Sequence, residues 1–248
     1  MAHLDAASRT ETVQDASLRK YFSNVFLVMA VGLAITGLTA LWISHDVAMM
    51  SSLFHLHQVV DANGKAKSVI AASPWWWASV ALQFGLVLVM AGGRLSRVGK
   101  SVGYVTFGFY ALLSGITLAP VLYSYTDASA AKVFLITAAT FGGSALWGHT
   151  TKTNLTQYGA FFRMALIGMI VALVVNFFFS SPAIDFIVSI VGVLLFAGLT
   201  AYDMQKLEQL YDNMGGGDDL VVYGALSLYL DFLNLFLFLL RIFGVKKD

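Results

Sequence analysis

Seven stretches of this chain are each long and apolar enough to cross a lipid bilayer as a helix: residues 22–43, 74–92, 102–125, 130–148, 162–180, 183–203 and 221–243. A spanning helix needs about 20 mostly apolar residues, because in hydrocarbon every backbone N–H and C=O must find its partner within the segment. Strands of a membrane barrel would alternate over about ten residues, and these runs are continuous instead. The pattern predicts an all-α membrane protein: a seven-helix bundle in one domain over 22–248, behind a polar N-terminal tail at 1–21. Composition agrees, with 58% hydrophobic and 12% charged residues where soluble domains carry about one-quarter charged.

The tail, MAHLDAASRTETVQDASLRK, is too long and too acidic for the n-region of a signal peptide, so it is expected to be retained. The connection at 45–73 is polar enough to lie outside the bilayer and carries a turn signal at Asn63-Gly64. Residues 180–182, Ser-Ser-Pro, make a tight hairpin, with Pro182 suited to a first helical turn. Residues 211–219, YDNMGGGDD, read as a flexible loop. With the N-terminus inside, nine Lys and Arg fall in inner segments against Lys65, Lys67 and Lys132 outside, which sets the orientation. Arg241, Lys246 and Lys247 then fall outside, against the rule, if all seven segments cross.

A net charge of +1 gives no reason to expect nucleic acid as a partner. The absence of cysteine excludes disulfides, thiolate metal sites and thiol nucleophiles. There is no nucleotide-binding loop, zinc motif or hydrolase elbow, so neither an enzyme nor a cofactor is expected.

The chemistry gathers in the last span. Asp231 sits near the middle of ALSLYLDFLNLFLFLLRIF, where a carboxylate costs about 2.5–3.5 kcal/mol on insertion scales. At about 100° per residue, Ser227, Asp231, Asn234 and Arg241 share an arc of roughly 80°, one polar stripe on an otherwise apolar helix. The preceding span carries Asp203. Counted from the loop between the two helices, Asp203 and Asp231 lie at depths of roughly 12 and 16 Å, near enough to meet. Two charges about 4 Å apart repel by about 4 kcal/mol at an effective dielectric of 20, so one proton shared between them is the economical state. Oxygen-only ligands of this kind suit a hard cation such as Ca²⁺. As a bland alternative, the pair simply pins two helices by a hydrogen bond.

Asp185, eighteen residues before Asp203, projects in the same direction at the opposite membrane face, with Ser189 and Gly192 close to that line. It either marks the far end of a polar path or belongs to the first turn after Pro182. His45, His55 and His57 resemble metal ligands by type and are expected to be solvated. Trp75, Trp76 and Trp77 form an interfacial aromatic belt. Ala139/Gly143 and Ser144/Gly148 are small-residue pairs suited to close helix packing.

SGITLAPVLYSY (114–125), TFGGSALWGHTTKTNLTQYGAFF (140–162), AYDMQKLEQLY (201–211) and ALSLYLDFLNLFLFLLRIFG (225–244) together resemble a bacterial member of the Bax-inhibitor (TMBIM) family. The resemblance runs from the third span to the C-terminus. It implies a seven-helix bundle with the C-terminal helix central, in the bacterial inner membrane, and a pH-sensitive Ca²⁺ leak. The family's di-aspartyl sensor corresponds to Asp203 and Asp231. Its latching arginine precedes the VGY that opens the third span, which favours Arg97, with Arg94 as substitute; here that basic run, GGRLSRVGK, is interrupted by glycine and serine.

The function expected on these grounds is a proton-gated calcium leak, with Asp203 and Asp231 as gate and Ca²⁺ ligands, and with Asp185, Ser227 and Asn234 along its path or in support. Lipid, protons and calcium ions are its partners. Two rivals stand beside it. One is a regulatory protein whose polar tail engages a membrane-anchored quality-control protease. The other is a proton-coupled transporter, for which repeats or broken half-helices would be the signature.

Overall fold

The computed structural model describes residues 2–60, 66–91, 100–179, 181–214 and 217–247. In chain order these form α1 (Ala2–His45), α2 (Val47–Leu53), β1 (Phe54–Val60), β2 (Ala66–Ala72), α3 (Pro74–Ala91), α4 (Lys100–Ser124), α5 (Asp127–Thr150), a 3₁₀ turn (Leu155–Tyr158), α6 (Gly159–Phe179), α7 (Pro182–Met214) and α8 (Asp218–Phe243). Among the described residues six helices, α1 and α4 to α8, contain stretches long and apolar enough to cross a membrane; α3 is apolar but shorter. The chain divides into two compact units, one of residues up to Met29 with Ala128–Gly244, the other of Ala30–Asp127 with residues from 245 onward.

The second of these is built on the ends of α1, α3 and α4. Asp46 caps α2, accepting from the N–H groups of Ala48 and Met49 at 2.9 and 3.0 Å. Ile43, Met50, Phe54 and Ala119 form a buried cluster against which Trp76, Ile116 and Tyr123 pack. Trp76 thus faces inward, while Trp75 and Trp77 are exposed as a belt should be. Deeper in the same unit, the Gln83 amide on α3 donates to Thr117 Oγ1 and accepts from Ser114 on α4, at 3.2 Å each. Thr36 of α1 donates to the Ala111 carbonyl of α4 at 2.9 Å. The segment after α8 returns as a short strap: Thr126 N donates to Val245 O at 2.8 Å and Lys247 N to Ser124 O at 3.0 Å.

The apolar spans are helical as expected, but one element outside them is not. Residues 54–60 and 66–72 pair as an antiparallel hairpin, in register from Phe54 opposite Ala72 to Val60 opposite Ala66. Within 45–73 no run approaches the length of a span, so these residues are free to satisfy their backbone in a two-stranded ladder rather than in a helix. The Asn63-Gly64 turn lies outside the described residues, as do the side chains of His55 and His57.

In the first unit α7 packs on α8, with α5 and α6 beside them. Pro182 does open α7, in the first-turn position expected of it. The span expected over 183–203 is part of a longer helix, however, and the loop expected at 211–219 is much shorter. Residues Tyr211–Met214 close α7 and Asp218 opens α8. After Asp203 the sequence continues with good helix formers and buries Met204 and Leu207, so one apolar face persists beyond the apolar run. The tail at 1–21 is likewise helical from Ala2 and continuous with α1.

Small residues matter in this unit where a neighbouring element comes close. A Cβ on Gly148 would run into the backbone of Ala201, whereas one on Gly143 would meet nothing within 4 Å. Of the two expected small-residue pairs, only Ser144/Gly148 lies at a close approach.

Candidate functional site between α7 and α8

The polar stripe of α8 faces α7. Ser227 donates to Asp203 Oδ2, and fourteen residues further along α8 Arg241 reaches Asp185 Oδ1 at 3.4 Å. Asp185 and Asp203 are eighteen residues apart on α7, so the two helices run antiparallel with contacts in step along both. Between these ends Phe238 of α8 lies over Gly192 of α7, where an added Cβ would stand 2.6 Å from its ring, and stacks on Phe196 at 5.8 Å.

Asp203 and Asp231 are both buried. Measured from the helix ends, Asp203 lies about 16 Å along α7 from Met214 and Asp231 about 20 Å along α8 from Asp218, with Ser227 about 14 Å from that same end. Asp203 therefore sits at a level between Ser227 and Asp231, which are one helical turn apart on a common face. Ser227 supplies it with a hydrogen bond. Asp231 Oδ2 is wholly buried and has no hydrogen-bond partner. A buried polar atom without a partner costs about 1–3 kcal/mol, more if charged, so this oxygen calls for an explanation. Next to Asp231 in sequence, Phe232 packs against Phe134 and Phe141 of α5 at 5.4 and 5.5 Å.

A cation stands one turn from Asp203. Lys206 is half-buried, donates to Tyr223 OH at 2.8 Å, and lies 5.4 and 5.9 Å from the rings of Tyr223 and Tyr202. By sequence Lys206 is one of the nine inner Lys and Arg that set orientation, and its i, i+3 spacing from Asp203 also puts the two on one face.

The remaining candidates separate clearly. Asp185 is in the first turn of α7, paired with Arg241, and about half its side chain is exposed. Ser189 turns its hydroxyl back to the Asp185 carbonyl at 2.7 Å, and Phe238 covers Gly192. The line from Asp185 to Asp203 is accordingly closed by side chains. Asn234 donates to Leu230 O of its own helix at 2.8 Å and does not touch the aspartates through that bond. Arg94 and Arg97 lie outside the described residues. His45 bonds Asp127 Oδ2 at 3.0 Å, and Lys247 approaches the other oxygen of the same carboxylate at 3.5 Å. Among the described residues no group of three or more His, Asp or Glu side chains is arranged to hold a metal ion.

The profile of the family described as inhibitor of apoptosis-promoting Bax1 matches residues 18–248. The inner membrane protein YbhL of Escherichia coli K12 is 36% identical over 251 residues, which cover 98% of this chain and 100% of that protein. An uncharacterized protein of Caulobacter vibrioides is 36% identical over 246 residues, covering 98% and 95% of the two chains. One of Borreliella burgdorferi is 35% identical over 233 residues, covering 92% and 93%. With the match running through every apolar helix and both buried aspartates, this chain belongs to the Bax inhibitor family of membrane proteins.

Proposed function

We propose that the protein is a proton-gated calcium leak of the bacterial inner membrane, with Asp203 and Asp231 as its gate. The observation that carries the proposal is the buried, unpartnered Oδ2 of Asp231, at a level close to that of a second buried carboxylate on α7. A proton on this pair removes the cost of two charges held together in a dry site. At low pH the proton is held, α7 and α8 stay together, and Phe238 over Gly192 keeps the line towards Asp185 closed. As pH rises the proton leaves, two negative charges face each other beside Ser227, and separation of the helices exposes oxygen ligands to a cation. A switch requires something that interacts differently with its two states, and the proton does so here. Calcium is cargo in this scheme. Two carboxylates and a hydroxyl fall short of the 6–8 oxygens of a lasting Ca²⁺ site, which suits an ion in transit.

Topologically the scheme takes α3 as a seventh crossing, α8 as the central helix and the N-terminus as cytoplasmic. Parity supports an odd number of crossings: the end of α1, through His45, and the strap after α8, through Lys247, both reach Asp127. The basic groups that offend the orientation rule, Arg241 and Lys247, both have carboxylate partners.

The test is Ca²⁺ flux from liposomes across pH 5–8 for wild type, Asp203→Asn and Asp231→Asn. Wild-type flux is expected to rise with pH and each variant to lose that dependence. Variants that titrate as wild type does would reduce the pair to a structural hydrogen-bonding element.

A further inference from the structure

A second feature of the first unit lies outside the aspartate pair. A cleft of about 530 Å³ opens between α1, α5 and α7, within the roughly 300–1,000 Å³ typical of small-ligand sites. Its polar members are Arg19, His149 and Glu208; its apolar wall includes Phe26, Phe141 and Met204. These are not mixed. Arg19 precedes Phe26 by seven residues on α1, His149 follows Phe141 by eight on α5, and Glu208 follows Met204 by four on α7. At 1.5 Å per residue each helix places its polar member about 6–12 Å from its apolar one. Because α1 runs opposite to α5 and α7 here, all three polar groups fall at one end of the cleft. The Phe22 ring, against His149 at 6.1 Å, marks the boundary.

The cleft is open sideways. Leu146 on its lining is exposed, as are its neighbours Leu27 and Trp147, so the wall continues into a surface that faces hydrocarbon. At Gly142 a Cβ would meet nothing within 4 Å. An occupant therefore enters from the bilayer and needs an apolar body. The charge at the polar end decides its head. Glu208 is engaged by His149 at 3.7 Å, whereas Arg19 is exposed and makes no ion pair among the described residues. Lys20 beside it is exposed as well. A guanidinium at headgroup level is matched by a phosphodiester, which it can bind through two parallel N–H donors. Basic pockets between membrane helices commonly take anionic headgroups in this way.

We infer that the α1/α5/α7 cleft is a binding site for one anionic glycerophospholipid, with an acyl chain along Phe141 and Gly142 and its phosphate at Arg19. The site is independent of the aspartate gate, although Met204 adjoins Asp203 and Phe141 touches Phe232, so its occupant lies one residue layer from the gate.

The test uses delipidated full-length protein in detergent, with binding followed by native mass spectrometry and by the thermal midpoint. Phosphatidylglycerol is expected to bind at least ten-fold more tightly than phosphatidylcholine. Arg19→Gln should bring phosphatidylglycerol down to the phosphatidylcholine level, and Gly142→Leu, which fills the cleft, should weaken both. Equal binding of the two lipids by wild type overturns the assignment, as does a phosphatidylglycerol preference that survives Arg19→Gln. The latter variant changes an exposed side chain and carries the test alone if Gly142→Leu does not fold. Glycerol 1-phosphate should give no shift; a shift equal to that of the lipid would mean a soluble anion site and end the proposal.

Discussion

Helices α6 and α8 are both apolar, and of the two α6 has the higher mean hydropathy. Yet only 6% of its spanning window is buried inside the protein, against 56% for α8. In a soluble protein the greasier helix would be the inner one. Here lipid is as good an apolar solvent as leucine, so hydropathy alone does not drive a helix inward. What distinguishes α8 is its stripe of Ser227, Asp231, Asn234 and Arg241, which hydrocarbon could not solvate and which finds Asp203 and Asp185 on α7. Residues Phe177, Phe178 and Phe179 on α6 stand free of the protein.

The contrast can be broken most forcefully at glycines. Gly192→Leu drives a side chain into the Phe238 ring, whereas Gly168 on α6 has nothing within 4 Å of a Cβ. Overpacking costs typically about 1–3 kcal/mol and more where the obstacle is rigid. Gly192→Leu is expected to abolish the folded fraction in detergent, with Gly168→Leu melting as wild type. Equal melting of the two would show that α7 and α8 are not held in this register.

A smaller effect is expected at Ser227. Ser227→Ala leaves a buried oxygen of Asp203 without its donor, a loss of about 1–3 kcal/mol. Chemical denaturation should show it, and the same change should shift the pH dependence of Ca²⁺ flux without erasing it. A Ser227→Ala protein as stable as wild type, with an unmoved profile, would place the hydroxyl outside the gate. The least effect belongs to Arg241→Gln. Both partners of the Arg241–Asp185 pair are more than one-third exposed, and such pairs contribute about 0–1 kcal/mol. A loss of several kcal/mol there would instead mark that end of α8 as a principal fastening.

Sequence went furthest where the bilayer imposes a rule. Length and apolarity pick out the six helices that qualify as spans among the described residues, with α3 short of that length, and helical phase puts Ser227, Asp231 and Arg241 on one face. The burial of Asp203 and Asp231 is legible for the same reason, since two intramembrane acids at similar depth on consecutive helices have few other places to go. Beyond the hydrocarbon the rules relax. The extension of α7 through Met214 depends on Leu207 burying against the bundle, and the hairpin at 54–72 on a local choice of backbone partner. Neither leaves a mark in hydropathy. Phase also gives direction without identity, which is why Arg241 could be put on the stripe and its pairing with Asp185 could not. Lys206 escaped notice because a lysine near a helix end reads as a topological charge until Tyr202 and Tyr223 are seen around it.

The seating of Phe238 over Gly192 restricts the mechanics of any opening. A piston stroke of α8 along its own axis would drag an aromatic ring across the α7 backbone and into the next Cβ, which the helix cannot do by small steps. In the proposed gating a tilt of α8 about that point would avoid such a stroke, with the ring as a fulcrum and the larger displacement at the level of Asp231.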